Sequence, residues 1–428
     1  VIRRAALAAL TTALTTALLA LPLAATAPAP AQAQAAPAAP SGTAAGTLTY
    51  VKGHNVWVAR ADGTQPRQVT TGGTAATPWR SPTSSDDGHI VAGRGNLVYR
   101  MDQWGTVLGV LDPPDIPSSA GELLGGPPAH LAVSPDGTKI AYTYEKYSCP
   151  INLACRIRYV TAFTSSTSVT PPGTWGVVYH DNPSWITDSR VAVNADLIDN
   201  INLFDLGRGS THWFDEDDYT TDDQPIFDFE VSRTAPYAAV VRSTGDDAHV
   251  MFYRVSGNYR TGGRPPIPEA FCATTPQLGT ATPTLSADGE RGAWAEPDGI
   301  WMMLLGPTAP CTVQPTRVIP GGSAPSYSPA ALQAVRPTYA FAVVRAPRVT
   351  GTAKAGRRLK ATAPVLAPAA AGLRYQWLRD DRPIARATGT GYQVTKKDRG
   401  HRIRVRVTGT RPGFRTRTVV SAAVRVRR

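Results

Sequence analysis

One stretch limits the fold more than any other: HLAVSPDGTKIAY, residues 130–142. An apolar run enters a Pro-Asp-Gly turn and leaves it as a second apolar run, the pattern of two antiparallel strands joined by a short turn. The unit recurs as TPWRSPTSSDDGHIVA from Thr77, NPSWITDSRVAV from Asn182, DFEVSRTAPYAAV from Asp228, TPTLSADGERGAW from Thr282 and APSYSP from Ala324. With Ser134 as reference, the equivalent positions read as Ser81, Ser134, Ile186, Ser232, Ser286 and Ser328, at spacings of 53, 52, 46, 54 and 42 residues. Pro78, Pro183, Pro283 and Pro325 stand three positions before the reference, which suits a strand entry where a missing N–H costs little.

A repeat of this length holds four strands and predicts a β-propeller blade. The copy at Ala324 lacks outer strands, whereas GTLTYV and NVWVARADGTQPRQVT, near residue 50, lack an inner one. Joining the two ends completes a blade and hides edges that would otherwise pair with other chains. The expected fold is therefore all-β, with a six-bladed propeller over residues 47–330 closed by its N- and C-terminal strands. The segments SPDGTKIAY and NVWVARADGTQPRQVT resemble the repeats of TolB-type, WD-repeat-like propellers of exported bacterial proteins. That resemblance implies a binding platform, often for another protein, and no single reaction.

Composition changes past Phe341. From Arg348 onward 21 Lys and Arg face only Asp380, Asp381 and Asp398, a net of +18 that leaves −6 for the rest of a chain whose total is +12. Apolar and polar residues alternate in HRIRVRVT, so this basic region is expected to be stranded. Residues 346–428 resemble the small immunoglobulin-like β-sandwiches appended to secreted bacterial proteins, and the cysteine pair of antibody domains is absent from them. The resemblance implies that Trp377 fills the core and that KKDRGHRIRV forms a corner. Residues 331–345 read as a linker. Arg402, Arg404 and Arg406 would form a row of guanidinium groups suited to a polyanion. In an envelope setting the expected polyanions are anionic wall polymers rather than nucleic acid.

The N-terminal region places Arg3 and Arg4 before an uncharged run from Ala5 to Leu23 and the small-x-small sites Ala31-Gln32-Ala33 and Ala33-Gln34-Ala35. It reads as a secretory signal peptide over 1–35, followed by an Ala/Pro-rich linker over 36–46. The expectation is a secreted or extracytoplasmic, envelope-associated protein with no transmembrane segment in the mature chain. Four cysteines in that compartment are read as disulfides, Cys149 with Cys155 and Cys272 with Cys311.

Catalytic signatures are sparse. The chain has no G-x-S-x-G, no H-E-x-x-H and no phosphate-binding G-x-x-x-x-G-K-[ST]. No cofactor is expected, with Ca²⁺ at Asp215, Asp217 and Asp218 as the weak metal candidate. Residues just before each repeated strand should meet at the mouth of the central channel. The positions four ahead of the reference are Thr77, His130, Asn182, Asp228, Thr282 and Ala324; the polar ones, with His180, Asp181 and Glu230 close by, are the candidate ligand-binding set. Two functions follow. The favoured one is a non-enzymatic binding or scaffold protein, whose propeller recognises a protein or envelope ligand and whose basic domain holds it near anionic polymers. The alternative is a propeller-type hydrolase or lyase acting on a glycan or peptide at the channel mouth.

Overall fold

The computed structural model describes residues 46–149, 156–195, 200–214, 225–243, 245–305 and 314–428. The chain is all-β: among the described residues the only helical pieces are two single 3₁₀ turns, Gly245–Asp247 and Lys396–Asp398. Among the described residues no helix is long and apolar enough to cross a membrane.

Six four-stranded antiparallel sheets account for the repeats. Their innermost strands are Trp79–Ser84, His130–Val133, Asp181–Thr187, Ile226–Val231, Ala281–Leu285 and Gly322–Ser328. Each of these lies against the next, and Gly322–Ser328 lies against Trp79–Ser84. One sheet joins sequence-distant strands: Thr47–Lys52 pairs with Gly322–Ser328 on one side and with Asn55–Arg60 on the other. The apolar clusters lie between neighbouring sheets, as where Phe163 stacks on Phe204 and meets Trp185 edge-on.

The repeated turn has a specific chemistry. Ser134 Oγ donates to Asp136 Oδ1 at 2.6 Å and accepts from Lys139 N at 2.9 Å, while Asp136 Oδ1 also accepts from Thr138 N. Gly137 sits at φ 71°, where a side chain would be strained. Ser286, Asp288 and Gly289 repeat this arrangement, and Ser85, Asp87 and Gly88 repeat its serine–aspartate bond, its aspartate–backbone bond and its glycine conformation. The register of the first copy is thus four residues later than its sequence suggested, with Ser85 rather than Ser81 equivalent to Ser134. Two Pro residues, Pro78 and Pro82, compete for one position there, and the turn chemistry selects Pro82.

The basic C-terminal region holds a three-stranded sheet (Arg348–Thr350, Arg358–Thr362, Gly391–Gln393) and a larger sheet centred on Gly372–Arg379 and Arg402–Thr410. They share one core, in which Trp377 is fully buried and stacks on Tyr392 with ring centroids 5.4 Å apart. In the KKDRG segment Asp398 is buried and accepts from Arg379, Tyr392 and Thr395. Burial opposes its ionisation, but these hydrogen bonds outweigh it and hold its carboxyl below the usual range.

Part of the segment read as a linker is built into both halves. Gln333 N donates to Gln103 Oε1, and Arg67 donates to Gln333 O. Ala342–Arg345 is a strand paired with Val365–Ala367. Farther on, Arg411 donates to Val107 O, and Gly413 approaches Thr106 so closely that any Cβ would collide with it.

Candidate functional site

The six inner strands surround a cavity of about 160 Å³. Numbered back from the turn position, the residues at the fourth position before it line this space, as do Thr83, Ala132, Ser184, Glu230 and Ser326 at the second. The fourth positions are Ser81, His130, Asn182, Asp228, Thr282 and Ala324, all of which line the cavity. Four of them, Ser81, Asn182, Thr282 and Ala324, have φ of 45–48°, and each precedes a proline. At these places the strand pairing slips, as between Arg80 and Thr83 or between Asp181 and Ser184. Each slip is a β-bulge whose proline has no N–H to leave unpaired. Positive φ in a non-glycine residue costs about 1–3 kcal/mol, so strain is concentrated around the cavity mouth.

Two rows of hydrogen bonds tie each inner strand to the next. In the upper row Ser81 Oγ donates to Ala129 O, His130 bonds Asn182, Asn182 Nδ2 donates to Phe227 O, and Asp228 Oδ2 accepts from Thr282 N at 2.8 Å. In the lower row a side chain at the second position before the turn accepts the N–H at the position just before the next turn. Thr83 serves Val133, Ser184 serves Val231, Glu230 serves Leu285 and Thr284 serves Tyr327. Ala132 has no such acceptor, and there Trp185 Nε1 donates to its carbonyl instead. Ser328 Oγ completes the circuit by donating to Ser85 O.

Electrostatics follow from this setting. Asp228 is half-buried, and desolvation pushes its carboxyl up to about 6 against hydrogen bonds from Thr282 and Phe229. Glu230, deeper in the wall, is pushed up to about 7 by burial, opposed by Leu285 N, the Arg233 cation and Thr284. Burial lowers His130 to about 4, so it is a neutral imidazole near pH 7. At the far end Arg233 donates to Ser84 O at 2.7 Å and Tyr327 O at 3.3 Å, on two other inner strands, and pairs with Asp86. It crosses the base of the cavity as a cationic bolt.

The sequence candidates separate on this geometry. His130, Asn182, Asp228, Glu230 and Thr282 come together on the cavity wall. Thr77 does not: it is exposed and bonded to Thr74, because the first copy was read out of register. His180 and Asp181 also stand away from the lining, His180 Nε2 accepting from Asn202 Nδ2 at 3.1 Å, with burial holding the His180 pKa down. Ala324, the equivalent position of the last copy, also reaches the lining, whereas Ser81 and Arg233 were missed; the second X-Pro pair in TPWRSP was the available signal for Ser81. Asp215, Asp217 and Asp218 lie outside the described residues, among which no cluster of His, Cys, Asp and Glu could hold a metal ion. Cys155 and Cys311 also lie outside them, while Cys149 and Cys272 are disulfide-bonded.

The basic region offers a second surface. Ile403, Val405 and Val407 are buried while Arg402, Arg404 and Arg406 face outward. Cross-strand register adds Arg374, opposite Thr408, and Arg425, opposite Arg402, to the same face. Side chains two apart on a strand are about 6.8 Å apart. Of the five, Arg404 donates to Asp381 at 3.0 Å.

No protein-family model matches this chain, and no curated protein sequence matches it. Among solved structures, it is similar to a putative TolB from Agrobacterium tumefaciens at 13% identity, covering 66% of this chain and 92% of that one with a TM-score of 0.40. It is similar to a putative 6-phosphogluconolactonase from Bacteroides fragilis at 11% identity, covering 67% and 99% with a TM-score of 0.38. A chain of a nidogen/laminin complex matches at 11% identity, covering 66% and 98% with a TM-score of 0.41. At these identities and superpositions none of them speaks to what this chain binds or catalyses.

Proposed function

We propose that the chain is an exported binding protein: a closed six-bladed propeller that takes a ligand at its channel mouth, carrying a basic β-sandwich that holds it near anionic envelope polymers. Supporting the closed ring are the cycle of inner-strand neighbours and the pairing of Thr47–Lys52 with Gly322–Ser328. Supporting export are the N-terminal sequence and the disulfide-bonded Cys149 and Cys272, since such bonds persist in oxidising compartments.

The observation that carries the binding reading is the ring of strained bulges around the cavity. Strain of this kind persists where surrounding structure holds it, and it gathers at ligand sites. The titratable groups of the ring favour binding over turnover. His130 is bonded to Asn182 and uncharged near pH 7, and Asp228 and Glu230 already accept from the neighbouring strand. Each carboxylate keeps lone pairs that a donor or cation entering the mouth can use. The five-arginine face fits phosphate- or sulfate-bearing polymers, because guanidinium groups meet such oxyanions with paired hydrogen bonds.

The test retains ligands from envelope extract on the immobilised full chain at about 0.05 and 0.5 M salt, spanning strong and weak screening. The reading expects one ligand held at both salts and lost in Asp228→Ala, and a second, salt-sensitive fraction lost when Arg402, Arg404 and Arg406 become Ala. Retention untouched by either set of changes contradicts it. One observation favours the hydrolase or lyase reading: Glu230, with a carboxyl near neutrality inside a cavity, suits a general acid or base. Turnover of a glycan or peptide that Glu230→Gln abolishes would establish that reading instead.

A further inference from the structure

A second cavity, of about 470 Å³, lies away from the channel, lined by the sheet of Ala281–Leu285 and by the segment that follows the outer strand Glu269–Ala273 of the sheet before it. Its volume falls within the roughly 300–1,000 Å³ of small-ligand pockets. Trp294 and Trp301 are direct cross-strand partners and so share one face of the sheet of Ala281–Leu285, with Arg317 opposite Trp301 on the next strand. Trp294 is buried against Phe252, whereas Trp301 is only half-buried and offers its ring to the cavity.

Both indole N–H groups are already used. Trp294 Nε1 donates to Glu296 Oε1 at 2.8 Å, and Trp301 Nε1 donates to Asp298 Oδ1 at 2.8 Å. The other Asp298 oxygen takes Arg317 Nη1 at 2.6 Å, so one carboxylate fixes the Trp301 ring and neutralises the nearby cation. What remains is an apolar plate with polar groups around it. Exposed Gln277 and Gln314 contribute amides, and Glu296 has a second oxygen with no hydrogen bond among the described residues.

We propose that this crevice is a saccharide subsite, in which a neutral pyranose ring stacks on Trp301 and its hydroxyls bond Glu296, Gln277 and Gln314. A pyranose has an apolar C–H face and a rim of hydroxyls that both donate and accept, which matches a plate ringed by amides and a carboxylate. A purely apolar ligand would desolvate the second Glu296 oxygen and give it no partner. A polyanion meets Glu296 and Asp298 in a lining that holds no cation among the described residues, Arg317 being bonded to Asp298, so this ligand differs from that of the basic face. A quaternary ammonium would need an aromatic cage, and here a single ring is presented. Because Trp301 is held by Asp298 and by the core on its inner side, little ordering is needed on binding.

The full chain is titrated with three probes, an N-acetylglucosamine trisaccharide, a glucose trisaccharide and tetramethylammonium, while tryptophan fluorescence and heat are recorded. The expected result is saturable binding of at least one trisaccharide at about millimolar strength or better. Trp301→Ala is expected to weaken it about tenfold or more, and Trp301→Phe to weaken it less. Gln277→Ala and Gln314→Ala alter exposed side chains and leave folding intact, so their expected several-fold losses stand even where Trp301→Ala fails to fold. The assignment is overturned when neither trisaccharide saturates, when all four variants bind as the parent does, or when only tetramethylammonium binds. Asp228→Ala should leave this binding unchanged, which separates the crevice from the channel mouth.

Discussion

Replacing Glu230 by Gln should stabilise the propeller at alkaline pH and do little at acid pH. Glu230 Oε1 accepts from Leu285 N and Oε2 from Thr284 Oγ1, both at 2.9 Å. A glutamine keeps both contacts, its oxygen on Leu285 N and its amide N–H donating to the Thr284 hydroxyl, which rotates to receive it. The difference is therefore charge. Burial raises the carboxyl from 4.5 to about 7 in the folded protein, so folding takes up a proton between those values. Its stabilisation is complete below about pH 4.5 and is lost as pH rises through about 7. At about 1.36 kcal/mol per pKa unit, the ionised side chain costs on the order of 3 kcal/mol at pH 8 and about 1 kcal/mol or less at pH 5. Calorimetry of parent and Glu230→Gln at the two pH values should show the variant melting at least about 5 °C higher at pH 8 and nearly together at pH 5. A variant that is less stable at pH 8, or equally shifted at both pH values, would refute the assignment of a costly buried carboxylate.

Three further outcomes are expected. Arg190 is buried and bonds both Asp205 oxygens at 2.7 and 2.8 Å as well as Tyr259 O and Gly263 O, so Arg190→Leu should cost about 3 kcal/mol in urea unfolding. Ala324 sits at φ 48° and has no side-chain hydrogen bond to lose; Ala324→Gly should raise stability by up to about 1 kcal/mol in the same assay. On the basic face, changing Arg402, Arg404 and Arg406 to Ala should flatten the slope of log affinity against log salt for polyphosphate by about 2 or more, read by titration at several salt concentrations.

Much of the fold is written in local chemistry. The Ser-x-Asp-Gly turns at Ser134 and Ser286 and the alternation in Arg402–Thr410 are short-range patterns, and they appear in the structure with the geometry those residues dictate. Register across distance is harder to read. Thr77 and Ser81 each precede a proline within one segment, and only the Ser85 hydrogen bonds show which pair forms the bulge. The lower row of strand ties uses Thr83, Ser184, Glu230 and Thr284, which share an acceptor atom and nothing that looks like a motif. Asp181 adjoins Asn182 but stands off the cavity lining, as alternation along a strand dictates, while His180 precedes the strand and is bonded to Asn202. Arg374 and Arg425 join the arginine row only through pairing register, and Trp301 meets Trp294 in the same way.

The most direct test of a ligand site at the channel mouth is hydrogen exchange of the full chain with and without the salt-resistant ligand fraction. The account predicts slowed exchange in peptides carrying Ser81, Asn182, Asp228 and Thr282, where the bulges leave the strand pairing slipped. Slowing confined to Arg402–Thr410, with the mouth peptides unchanged, would contradict it and leave the basic face as the binding surface.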